Sequence, residues 1–192
     1  ISIIAILLFF APAWATSYYV KTTGNDANSC AQAQSSSTPK LTIASGLTCL
    51  SAGDTLRIGA GTYTEALRNN VPAGTSFANA TTIMADDPAN KPILRPTGDY
   101  VVHFSNTSGA YIILDGLDFD AINASANLAV IKITEGAHHI RIKNCIARNS
   151  NSGHGLLISP GGAGGSNFNE IINCDIFGNG FPHSGNPEHG MY

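Results

Sequence analysis

Apolar and polar residues alternate through the second half of the chain, and the pattern repeats at a fixed interval. The stretch IRIKNCIARN (Ile140 to Asn149) returns as EIINCDIFGN (Glu170 to Asn179), and IILDGLDFD (Ile112 to Asp120) is a third copy with Gly116 in the Asn place and Leu117 in the Cys place. Within a copy the apolar places are Ile112, Leu114, Leu117 and Phe119, or Ile140, Ile142, Cys145 and Ala147. That period of two belongs to strands, not helices. Leu117, Cys145 and Cys174 follow one another at 28 and 29 residues, as do Leu114, Ile142 and Ile171. A second strand-like run precedes each copy: VVHF (Val101 to Phe104), AVIKI (Ala129 to Ile133) and GLLI (Gly155 to Ile158). Self-similarity at such a period predicts a stack of structural repeats.

A repeat of 28 residues, mostly extended, traces about 90 Å at roughly 3.3 Å per residue, enough for one turn around a flattened or triangular cross-section. Each repeat is then one coil, successive coils pair in parallel, and the crossover rule favours a right-handed wind. The expected fold is all-β, a right-handed parallel β-helix. Like residues then sit over like at about 4.8 Å, so Asn144 over Asn173 forms an amide ladder at a bend. Tyr111, His139 and Phe168 align at the same intervals on the outward side. They are either packed beneath a loop, the simpler reading, or a platform for sugar rings. Upstream, TPKLTIASGLTCL (Thr38 to Leu50) predicts a short helix with Thr38 as N-cap and Pro39 in the first turn.

With 192 residues, 43% of them hydrophobic, the chain can bury one domain's core. A net charge of −3 and the lack of a basic run argue against a nucleic-acid partner. The opening ISIIAILLFFAPAWA has an apolar core and an Ala13-Trp14-Ala15 cleavage pattern, so residues 1–15 are expected to be a signal peptide, incomplete because it lacks Met and a basic start. The expected product is secreted, extracellular, periplasmic or on the cell surface, with no membrane span after signal removal. Residues 16–192 form the β-helix domain, capped over about 18–52. Because HGMY (His189 to Tyr192) repeats the start of HGLLI (His154 to Ile158), the coils are expected to continue beyond the end.

Export permits disulfides. Cys30 and Cys49 bracket a polar loop and the expected helix, and a bridge there contributes ~3 kcal/mol in the chain-entropy model. Cys145 and Cys174, on neighbouring rungs with parallel Cβ directions, are expected to be buried and reduced.

The segment Tyr18 to Glu65 carries a Gly24-Asn25-Asp26 loop, the helix-like stretch, a Gly53-Asp54-Thr55 turn and a strand ending Gly61-Thr62-Tyr63. In this it resembles the opening of secreted proteins of the pectate-lyase-like, right-handed β-helix superfamily. The resemblance, extended through the later copies, covers nearly all of the mature chain; it is specific for fold and weak for chemistry. It implies that the helix closes the end of the first coil, through a stripe of Leu41, Ala44, Leu47 and Leu50. It also implies a polysaccharide substrate and a lyase or glycoside hydrolase activity, or else a non-catalytic surface or adhesion module binding glycans or partners. Lyases of this superfamily hold Ca²⁺ with carboxylates and take the sugar proton with Lys or Arg.

Candidates for such roles are Asp115, Asp118, Asp120, Asp175, Arg141, Lys143 and Arg148. The coil register pairs Asp115 with Lys143, Asp120 with Arg148 and Arg141 with Glu170, which favours cross-strand ion pairs over catalysis. Asp118 and Asp175 share an outward register with Ile146 between them, about 9.6 Å apart along the stack, too far for one Ca²⁺. His154 and His189 each precede Gly in successive coils, and the inserted loop FPHSGNPEHG (Phe181 to Gly190) brings His183, Glu188 and His189 together. Those residues, with Asp118 and Asp175, are the candidate substrate-binding set, since long insertions on a solenoid tend to bind. No metal site is assigned to them.

Overall fold

The structure, a computed structural model, describes residues 15–151, 153–162, 164–180 and 190. Three parallel sheets wrap around one core. The first has six strands in coil order: Ser17–Val20, Thr55–Ile58, Thr81–Ala85, Ala110–Asp115, His138–Lys143 and Glu170–Ile172. The second stacks Thr62–Tyr63, Ile93–Leu94, Asp118–Asp120, Ile146–Arg148 and Asp175–Phe177; the third, Val102–Phe104, Ile131–Ile133 and Leu156–Ile158. Every pairing between named strands is parallel, so the chain is a parallel β-helix.

Inward residues form columns that run the length of the stack. One column climbs the first sheet through Tyr18, Leu56, Ile83, Leu114, Ile142 and Ile171. Another climbs the second through Tyr63, Leu94, Phe119, Ala147 and Ile176. On the third, Val102 lies beside Ile131 and Phe104 beside Ile133, as their spacing predicts. At the corner between the first two sheets Gly116, Asn144 and Asn173 adopt φ of 70°, 55° and 49°. Gly and Asn enter that left-handed region most readily, which is why these two types share the corner. The amide ladder forms there: Asn173 Nδ2 donates to Asn144 Oδ1 at 2.9 Å, and Asn144 Nδ2 to Asp115 Oδ1 at 2.8 Å.

The cap departs from expectation at its start. The helix is only Ile43–Leu47, with Thr42, not Thr38, as N-cap. Lys40 is instead extended, its N–H donating to Tyr19 O and its carbonyl accepting from Lys21 N, both at 2.9 Å. The Asp26 carboxylate accepts from Leu41 N, Thr42 N and Thr42 Oγ1 at 2.8 to 2.9 Å, and that of Glu65 from Ile43 N and Ala44 N at 2.9 and 2.8 Å. Tertiary acceptors for the orphan N–H groups thus override the local Thr-Pro signal. The apolar stripe shifts with the helix: Leu41 is 41% exposed, while Ile43, Gly46 and Leu47 are buried. Gly24 earns its place in the loop because a Cβ there would lie 2.1 Å from the Lys40 carbonyl oxygen.

Cys30 and Cys49 are joined in a disulfide with Cα atoms 5.4 Å apart. Cys145 and Cys174 are free thiols. Cys145 is buried as expected, whereas Cys174 is only half-buried on the outermost described rung.

Candidate functional site

The outer side of the first sheet carries three bulky residues in left-handed backbone. Tyr111, His139 and Phe168 occupy equivalent places in three coils, with φ of 52°, 54° and 57°. Bulky residues in the left-handed region cost about 1 to 3 kcal/mol each, so such positions persist where the surrounding fold enforces them and often where function uses them. The rings stack in order: Tyr111 on His139 at 4.5 Å between centroids and 29° between planes, His139 on Phe168 at 4.8 Å and 26°.

Phe77, from the turn Phe77–Asn79, meets the edge of Tyr111 at 5.7 Å and lies 4.2 Å beneath the Arg141 guanidinium. Arg141 grips Glu170 through Nε and Nη2 at 2.7 and 3.0 Å. The hydrogen bond from Arg141, helped by its charge, holds the Glu170 carboxyl below its usual range. Packing therefore covers the Tyr111 end of the ladder. It does not cover Phe168, which is 71% exposed. Beside it His138, His139, Gly165, Asn167 and Phe168 line an open cleft of about 200 Å³.

The left-handed turn at His139 also brings both histidines to the outer side, with His138 Nδ1 and His139 Nδ1 2.6 Å apart. Burial, and secondarily the neighbouring His139, hold His138 below the ordinary imidazole pKa. His138 and Phe77 were not singled out from the sequence. A signal existed for His138: polar residues run through 138 and 139, where strict alternation calls for one inward place.

The charged candidates occupy each other. Lys143 pairs with Asp115 at 3.1 Å, and Arg148 forks onto Asp118 through Nε and Nη2 at 2.9 and 3.0 Å. Asp120 accepts from Arg148 Nη1 at 3.0 Å, and also from Arg95 Nη2 at 2.7 Å. Asp118 is 8% exposed behind its arginine, so it is not presented to a ligand. Asp175 is exposed and separated from Asp118 by Ile146, as the register predicts. His154 is partly exposed, its carbonyl accepting from Val130 N at 2.9 Å. Asp118 and Asp175 stand on either side of Ile146, and His183, Glu188 and His189 lie outside the described residues.

Among the described residues no group of three or more His, Cys, Asp or Glu side chains comes together to hold a metal ion. Asp115, Asp118 and Asp120 are each paired with a cationic side chain. Lys143→Ala is expected to change unfolding free energy by at most about 1 kcal/mol, because the pair is partly exposed and such pairs contribute little. Denaturant titration of the variant checks this; a loss of several kcal/mol would mean that the pair organises the corner.

The chain matches no protein-family model and no curated protein. Solved structures do share its fold. A rhamnogalacturonan lyase superposes with a TM-score of 0.57 at 15% identity, over 83% of this chain and 51% of that one. A variant of a PL6-family alginate lyase superposes with a TM-score of 0.55 at 20% identity, over 88% of this chain and 21% of that one. The chain therefore spans about half and about a fifth of the length of these two proteins. At such identities the likeness is one of fold.

Proposed function

We propose that the chain is a secreted, carbohydrate-active β-helix of the pectate-lyase-like kind, acting on a polysaccharide as a lyase or hydrolase. Residues 16–192 form its β-helix domain, and the sugar chain lies along the ladder of Tyr111, His139 and Phe168.

The observation that carries this reading is the placement of three strained aromatic rings in register, ending in an exposed one. At the other left-handed positions among the described residues the chain uses Gly or Asn, which tolerate that backbone far better, with Glu135 at φ 54° the exception. A sugar ring presents an apolar C–H face that gains by covering an aromatic ring, and its hydroxyls need polar partners at the edge. Asn167 and the two histidines stand at that edge. The polysaccharide lyases that share the fold support the reading, and the Cys30–Cys49 disulfide suits an oxidising compartment.

Phe168→Ala is expected to weaken binding of oligosaccharides about tenfold, the effect of losing one anchoring ring. Isothermal titration with polygalacturonate, alginate and neutral glucan oligomers checks this. If wild type binds and the variant binds equally well to the same oligomers, the platform is elsewhere.

A further inference from the structure

Neighbouring residues on a strand point to opposite faces, so two consecutive histidines ordinarily do not meet. Here the left-handed backbone of His139 sets both on the outer side, with their Nδ1 atoms 2.6 Å apart and 81° between the ring planes. At that separation one ring donates its Nδ1 proton and the other accepts it, so the two nitrogens converge on one point. Tyr111 and Phe168 stack on the His139 ring at 4.5 and 4.8 Å and hold it in place. Both histidines line the open cleft beside Phe168. Converging imidazole nitrogens within reach of solvent are what a transition-metal ion requires, since imidazole is the commonest protein ligand for such ions.

We infer that His138 and His139 form a two-histidine site for a late divalent transition-metal ion such as Ni²⁺ or Zn²⁺, bound through both Nδ1 atoms. Such a site stands whether or not a sugar lies on the ladder. Metal–nitrogen bonds of about 2.0 to 2.1 Å, at angles between square and tetrahedral, set two ligand nitrogens roughly 2.9 to 3.4 Å apart. From 2.6 Å the pair must open by about half an ångström. Because His139 is clamped between two rings, His138 is the one that swings. The donating ring's proton moves from Nδ1 to Nε2, and both Nδ1 lone pairs then pass to the ion with no net loss of a proton.

The surroundings choose the class of ion. The polar side chains lining the cleft are the two imidazoles and the amide of Asn167, a set that suits Ni²⁺, Cu²⁺ or Zn²⁺, whereas Ca²⁺ and Mg²⁺ take oxygen ligands. Arg141, on the same strand, has its charge matched by Glu170 at 2.7 and 3.0 Å, so it does not repel a cation. Two protein ligands leave the remaining positions to water. The cleft of about 200 Å³ has room for several, at roughly 30 Å³ each.

The test uses the full chain, stripped with a chelator, desalted and titrated with NiCl₂ by calorimetry. Cu²⁺ is avoided because the free thiol of Cys174 would reduce it. Wild type is expected to bind one Ni²⁺ that His138→Asn and His139→Asn each weaken at least about tenfold, since even changes behind the ligands of a metal site cost 10 to 100-fold. In wild type, substoichiometric Ni²⁺ should broaden the ring-proton NMR signals of His138 and His139 before those of the other four histidines. This second measurement needs no variant, so it decides the matter even where a variant fails to fold. Excess Ca²⁺ should change neither result. Equal Ni²⁺ affinity in a folded His138→Asn variant overturns the site, as does broadening that begins at another histidine or competition by Ca²⁺. The platform reading survives any of these, because it is judged by oligosaccharide binding to Phe168→Ala.

Discussion

Asp120→Ala should destabilise the protein by about 3 kcal/mol, near the lower end of the cost of removing one partner from a buried ion network. The Asp120 carboxylate is 1% exposed and accepts from Arg95 Nε and Nη2, Arg148 Nη1, Asn149 Nδ2 and Ile122 N at 2.7 to 3.1 Å. Its removal strips Arg95 of that carboxylate, while Arg148 keeps Asp118. Arg95 is 33% exposed and can rehydrate, which is why the lower end applies. Burial opposes the charge of Asp120, but the Asn149, Arg95 and Ile122 donors and the Arg148 charge outweigh it and hold the carboxyl below its usual range. The sign follows directly. Stability from this group is fully present above the unfolded-state pKa of about 3.9 and is lost as pH falls through the lower folded value. Urea titrations at a series of acid pH values should show that limb in the wild type and a flatter one in Asp120→Asn. An unchanged acid limb would mean that the network contributes nothing beyond neutral packing.

Phe119→Ala should cost about 3 to 5 kcal/mol, the range for truncating a fully buried aromatic residue. Phe119 is 0% exposed and stands between Leu94 and Ala147 in the inward column of the second sheet. Neither neighbour can fill the void without leaving its own rung. Because each coil is held only by those beside it, the damage should spread as local opening, with faster amide exchange in Ile93–Leu94 and Ile146–Arg148. A loss below 1 kcal/mol, on the order of a surface change, would place Phe119 outside the true core.

These two effects differ in how far they could be foreseen. Phe119 was legible as an inward residue from alternation and the 28-residue interval alone. The network around Asp120 was half legible. Its pairing with Arg148 follows from register, but Arg95 stands just past the two-residue strand Ile93–Leu94, too short to carry a pattern. The early coils were obscure for a related reason. Leu56 and Ile83 are partners 27 residues apart, and Ile83 and Leu114 are partners 31 apart, so loops of unequal length break the repeat that makes the later coils align.

The amino-acid sequence by itself determined the β-helix, the inward columns, the Asn144–Asn173 ladder and the ion pairs Asp115–Lys143 and Arg141–Glu170. All of these follow from one operation, translation by a rung, and a constant interval in the chain encodes it. Only the tertiary structure decided where the cap helix begins, because the carboxylates that fix its first N–H groups come from Asp26 and Glu65, outside the helix. It alone decided that His138 meets His139 and that Phe168 stands open. Alternation sends neighbouring residues to opposite faces, and a left-handed φ at one bulky residue, imposed by the coils above and below, is not written in any local pattern.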